Sequence, residues 1–407
     1  MKRILFIIFL ILLLAAVVGL PIFMRVSWHM ADPKPLNIFI LDKTVLNDSY
    51  QEHLSLNWVL KNQKYVKPDG GIYLEHQDYY GFFPDGLGGY TIFDLERNFA
   101  EDLEVLADEY DMVYYTDLYG IYWIEWHNQY PHIRPEAVPG RMGERSQWIY
   151  GGLTGNELAF LRSMKDRKKL IINEFNIIAS PTSYGVRQAY EETFDMRWEN
   201  WTGRFFNSLD TTINQDIPLW LIRNYMEQNN NQWPFKKAGI AFVRNDDKIV
   251  VLEHETHLTN ELPYIHSSQA MVEEYGVAKT IRYPYWFDII STGASNEVLA
   301  EYRIEPNSQG DSILHHWGIP KVFPAVIKNK GDYPYYYFAG DFADNPINLK
   351  STRLKYIEKF DYFLYAPLTY ERRSFFGLYY RPLVTKILDD YYREIEASGK
   401  YASTSSN

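Results

Sequence analysis

The chain has 407 residues, 46% of them hydrophobic and 17% aromatic, with a formal net charge of −11. That length holds one large or two ordinary domains with a sizeable core, and the acidic balance excludes a nucleic-acid partner, because phosphate binding needs a basic face. The absence of cysteine excludes disulfides, thiolate metal sites and a thiol nucleophile.

Lys2 and Arg3 precede an uncharged apolar run, Ile4–Met24, long enough to cross a hydrocarbon core of about 30 Å. The positive-inside rule places residues 1–3 in the cytoplasm and the rest of the chain outside. The exit of the run lacks a small-x-small cleavage site, so the sequence predicts an uncleaved signal anchor over 4–24 and a single-pass protein of the cell membrane. Residues 25–35 form a short linker.

Leu36–Leu41 reads as a buried strand ending at Asp42. Tyr50–Asn62 reads as a helix, and 69–90, rich in Gly, Asp and Tyr, as loop or short hairpin. The spacing of Phe93, Leu95, Phe99, Leu103 and Leu106 predicts an amphipathic helix over 93–110. Asp111–Tyr115 is the next strand, ending at Asp117. Thr154 and Glu157 have capping-box spacing at the start of a helix running to Asp166. The strand Lys169–Ile172 follows, then a turn and a helix over 186–194. Strand, helix and strand in alternation call for a parallel sheet. Trp198–Phe206 is dense in aromatics and is expected to line a surface or pocket; 225–233 reads as loop.

The second half is β-rich, with strands expected over 238–243, 248–252, 279–287, 298–304, 321–327 and 335–338. Residues 346–400 read as a C-terminal helical extension and 401–407 as a disordered tail. The expected fold class is α/β: a mostly parallel sheet flanked by helices over 36–345, with the β-rich half and the C-terminal helices beside it.

Three pieces of the chain carry a resemblance. They are the strand 111–117, the Gly-Gly turn, helix and strand of Ile149–Phe175, and the late segments EVLAEYRI (297–304) and PAVIKNKGDYPYYYFAGDFAD (324–344). Together, over roughly 36–344, they resemble the class I glutamine amidotransferase-like fold in its non-amidotransferase branches, among them uncharacterised membrane-associated proteins and the trehalose-utilisation and β-galactosidase-trimerisation types. The resemblance places the nucleophile elbow on Asn173–Ile177, with Phe175 where the cysteine of a true amidotransferase stands and neither elbow glycine present. It therefore implies no glutaminase activity.

Asp42, Asp117, Glu174 and Asp341 each fall at or just past the end of a predicted strand. If those strands are parallel neighbours, the carboxylates meet at one edge, where ligands bind in open α/β sheets. Paired carboxylates divide general-acid and general-base work at glycosidic bonds; as single residues, acids in such places also cap helices and turns. Asn173 and Asn176 flank Glu174 as amide donors. Trp198, Trp201, Arg204, Tyr285 and Trp286 are candidates for a sugar-stacking surface with an Arg donor. His254 and His257 are weak metal candidates, because their spacing is not that of a helical zinc pair. Arg372, Arg373 and Arg381 read as a solvated face or one turned to lipid headgroups or a partner. No cofactor is expected. The expectation is a membrane-anchored, extracytoplasmic component of cell-surface glycan handling that binds a sugar or a cell-envelope enzyme and is non-catalytic or weakly catalytic. The alternatives are a glycan hydrolase using the paired carboxylates and a structural scaffold.

Overall fold

The computed structural model describes residues 2–133, 148–360 and 372–401. The tail beyond Tyr401 and residues 361–371 of the C-terminal extension lie outside the described residues.

The apolar N-terminal run is part of one helix, Lys2–Met30, of 29 residues, long and apolar enough to cross a membrane by length and composition, as a signal sequence also is. Its last turns are tied to the body. Met24 is buried, the Trp28 indole donates to the carbonyls of Lys61 and Asn62, and the Lys355 amide donates to the Met24 carbonyl.

The central sheet is built from β1 (Ile38–Asp42), β2 (Tyr80–Pro84), β3 (Tyr90–Phe93), β4 (Met112–Tyr115) and β5 (Leu170–Asn173) in the first half. The second half adds β9 (Tyr264–Ser267), β10 (Thr280–Arg282), β12 (Asn296–Arg303), β13 (Val322–Asn329) and β14 (Tyr335–Phe338). The strand order is β10-β9-β12-β13-β14-β5-β4-β1-β2-β3. The neighbours from β14 through β5, β4 and β1 to β2 pair in parallel, and all other neighbours pair antiparallel. The sheet is therefore mixed, which corrects the expectation of a mostly parallel one: hairpin-joined strands extend a parallel centre on both sides. Strands β1, β4, β5 and β14 are buried along their whole length, as expected of parallel strands covered on both faces.

Between these segments, β6 (Met196–Phe206), β7 (Gly239–Arg244), β8 (Ile249–Glu253) and β11 (Trp286–Thr292) form a separate antiparallel sheet in the order β8-β7-β6-β11. It is joined to the end of β14. The Asp288 amide donates to the Ala339 carbonyl and the Asp341 amide to the Trp286 carbonyl. This approach requires Gly340, where a Cβ would come within 2.2 Å of the Tyr283 and Tyr302 hydroxyls.

Helices cover the sheet at Gln51–Asn62, Ala100–Glu109, Gly155–Asp166 and Tyr184–Phe194. The helix expected from Phe93 begins only at Ala100, because Phe93 ends β3 and Phe99 is the N-cap. The Thr154–Glu157 capping box forms as expected. The stretch expected as one strand over 279–287 is split into β10 and β11 around Pro284. The C-terminal chain is helical from 373 to 397. Its Leu383, Val384, Ile387 and Leu388 belong to the same core as β1, β4 and β5.

Candidate functional site

The carboxyl ends of the parallel strands lie along one edge. From β1 the chain moves outward to β2, then returns past β1 to β4 and onward to β5 and β14. The direction of sheet growth thus reverses between β1 and β4, and a crevice at such a switch point is where open α/β sheets take ligands. A cleft of about 370 Å³ opens there. The sheet edge supplies Thr44, Asp117, Phe175, Asn176, Asp341 and Asp344 to it. The antiparallel sheet faces it with Trp198, Thr202, Arg204 and Trp286, and Trp220 and Glu52 complete the walls.

Two of the four predicted carboxylates meet in this cleft. Asp117 follows β4, accepts the Tyr119 amide at 2.6 Å, and receives the Thr44 hydroxyl on its carbonyl at 2.8 Å. Asp341 follows β14 and leaves Oδ1 buried, with no hydrogen-bond partner among the described residues. Burial drives both well above the ordinary carboxylate range. The charges of Asp344 and Asp117 add to the shift at Asp341, and those of Asp42, Asp288 and Asp344 at Asp117, where the Tyr119 amide partly opposes it. Asp344 goes the other way. Burial opposes its ionisation, but the Arg372 charge and hydrogen bonds from Gln51, Arg372 and Asp341 hold its carboxyl below the usual range. The Arg372 guanidinium reaches Asp344 at 2.7 Å and lies 3.8 Å above the Tyr285 ring, whose hydroxyl donates to the Arg372 carbonyl and to Asn345. Glu52 on the facing helix is pushed up by burial and by Asp42 and Asp344. Adjacent carboxyls pushed in opposite directions are the usual sign of divided acid and base roles.

The other two predicted carboxylates are enclosed and do not line the cleft. Asp42 accepts from the Thr44 amide and pairs with His53 at 2.5 Å. Glu174 accepts the amides of Phe342 and Ala343 at 3.1 and 3.0 Å and the hydroxyl of Tyr114. It pins the turn that carries Asp341 and Asp344. Burial pushes Glu174 up to about 8, against the hydrogen bonds it accepts. A carboxyl that titrates near 4.5 unfolded and near 8 folded keeps its proton longer in the fold. Its stabilisation is complete below pH 4.5 and drains as pH rises through 8. Glu174→Gln supplies an oxygen for both amides and no charge. Melting temperatures followed from about pH 5 to pH 9 are therefore expected to fall less steeply for the variant than for the natural protein. Parallel curves would contradict this role.

Asn173 is buried and donates to the Tyr190 hydroxyl, away from the cleft. Asn176 lines the cleft with left-handed backbone (φ 63°), its amide bound by Asp288. Phe175, in the position the resemblance gives to a nucleophile, is an apolar wall stacked with Trp286. Trp198, Arg204 and Trp286 line the cleft. Trp201 belongs to the core, edge-on to Trp317, and Tyr285 lies beneath Arg372, so neither is on the expected stacking surface. His257 accepts the Glu253 amide, and the Glu253 carboxylate binds the amides of Lys236 and Lys237. Among the described residues no group of three metal-ligating side chains is gathered there or elsewhere.

Sequence reasoning missed Glu52, Asp344 and Trp220, and it read Arg372 as facing solvent, lipid headgroups or a partner, whereas Arg372 turns inward onto Asp344 and Tyr285. Asp344 had a signal, since it stands three residues after Asp341 in the same loop.

No family model and no curated protein matches the chain. Among solved structures, one described as a putative ThuA-like protein from Bacteroides uniformis is similar at 10% identity and a TM-score of 0.35. The match covers 80% of this chain and 89% of that one. A likeness this faint carries no argument about chemistry, which rests on the cleft itself.

Proposed function

We propose that this is a membrane-tethered, extracytoplasmic component of glycan handling whose cleft binds a sugar and hydrolyses a glycosidic bond in it. The observation that carries the reading is that Asp117, Asp341 and Asp344 share one cleft with the half-buried Trp220 and Trp286. Indole faces suit sugar rings, and hydrolysis needs a proton for the leaving oxygen and negative charge for an oxocarbenium-like transition state. Asp341 holds the proton and Asp344 the charge. In the proposed reaction the glycosidic oxygen takes the Asp341 proton as its bond to the anomeric carbon breaks. Water then adds to that carbon and returns a proton to Asp341.

The packing of Met24 and Trp28 into the body supports an anchor that stays attached. The parallel centre with its crevice between β1 and β4 supports an amidotransferase-like architecture. The experiment is a panel of cell-envelope oligosaccharides incubated with detergent-solubilised full-length protein, with new reducing ends measured. Cleavage of at least one panel member, lost in Asp341→Asn, is the expected result. Binding without cleavage would leave a non-catalytic sugar-binding role. Neither binding nor cleavage would overturn the reading.

A further inference from the structure

We propose that Arg204 forms an anion subsite in this cleft, and that the sugar bound there carries a carboxylate, as a uronic acid does. The inference rests on the sugar-binding reading and adds the charge of the ligand.

Arg204 lies on β6 directly opposite Trp286 in the strand pairing. Its guanidinium carbon is 4.7 Å from the Phe206 ring centroid and 5.3 Å from that of Trp286. The two rings hold the group toward the cleft, which it lines. Among the described residues no hydrogen bond or ion pair engages it, although a guanidinium offers five donors in a planar fork. The fork is open to the cleft, and a bidentate carboxylate satisfies it best.

The acids around it do not fill that role. Asp344 is engaged by Arg372. Asp117 takes the Tyr119 amide, and Asp117 and Asp341 are both driven toward their neutral forms. Asp216 sits exposed at the rim. Burial and the nearby Arg372 lower Arg204, but only to about 10, so it stays cationic at neutral pH. A cleft rich in carboxyl groups thus presents a free positive charge at the wall where a sugar would stack on Trp286.

The test compares oligouronides with neutral oligosaccharides of the same ring stereochemistry and linkage, using detergent-solubilised full-length protein and isothermal titration. Sulfated neutral sugars form a third arm that separates a carboxylate from another anion. The uronide is expected to bind at least about tenfold more tightly than its neutral counterpart, the scale of a charge-assisted hydrogen-bonded pair. Arg204→Gln should bring the ratio of uronide to neutral affinity within the variant to about one, whatever it does to each affinity alone. Arg204→Lys, which keeps the charge without the fork, should retain part of the preference. Equal binding of uronide and neutral sugar, or a preference for the sulfated arm, would overturn the proposal and leave the sugar reading standing. Absence of binding in all three arms would overturn both.

Discussion

Asp341→Asn is expected to lower glycan cleavage by about a hundred- to ten-thousand-fold, the range that a positioned general acid contributes. The turn from Gly340 to Asp344 fixes where Asp341 stands. Gly340 lets the strand end approach Tyr283 and Tyr302, and Glu174 clamps the following amides. Asp341 is therefore held in place at the cleft, and burial with two acidic neighbours keeps its proton on. Asparagine preserves the shape and cannot give that proton up. Because the proton is lost only above the ordinary carboxylate range, cleavage by the natural protein should persist to higher pH than an unperturbed aspartate would allow. The pH–rate profile of the natural protein and the residual rate of the variant check both points. A variant with full activity would remove Asp341 from the chemistry.

Lys43→Met is expected to destabilise the fold by about 3–5 kcal/mol, the cost of leaving a buried charge without its partner. Lys43 follows β1 and is fully buried. Its ammonium sits 2.7 Å from Glu157 and 2.9 Å from the Gly152 carbonyl, and 4.7 Å from the centroid of the Tyr150 ring. Glu157 also closes the capping box of its helix. One ion pair thus fastens the end of β1, the Gly-Gly turn and the helix start together, immediately behind the Thr44 and Asp117 wall of the cleft. Replacing Glu157 by Gln in the Lys43→Met background should cost less than the sum of the two single changes, because both charges are then gone. Chemical denaturation of the three variants measures this, and simple additivity would show that the pair is uncoupled.

How far the sequence carries depends on the feature. The strands β1, β4, β5 and β14 are legible because strands buried on both faces read as continuous apolar runs. Asp117 and Asp341 are legible because a polar residue just past such a run falls at the strand's carboxyl end. Whether its side chain enters the cleft or turns back is not legible. Glu174 has the same sequence setting as Asp341, yet it bends onto the Phe342 and Ala343 amides, a contact across 168 positions. Strand direction is equally hidden. Nothing in a β-rich run such as 298–304 says whether its neighbour is parallel, so the mixed sheet could not be foreseen. Glu52 reaches the cleft, and Arg372 reaches the cleft residue Asp344, from segments remote from the strand ends, and only tertiary structure joins them. Trp201 failed as a platform residue because aromatic density does not distinguish the two faces of β6, where residues alternate between core and cleft.

The central claim is that a sugar occupies the cleft between β1 and β4. Fluorine NMR of full-length protein labelled with fluorotryptophan tests it directly, because the tryptophans divide by position. Trp198, Trp220 and Trp286 line the cleft, whereas Trp28 sits on the N-terminal helix and Trp58 beneath the C-terminal helix. Titration with the oligosaccharide panel is expected to shift the three cleft resonances and leave those of Trp28 and Trp58 in place. Shifts confined to the remote tryptophans, or none with any panel member, would contradict the account.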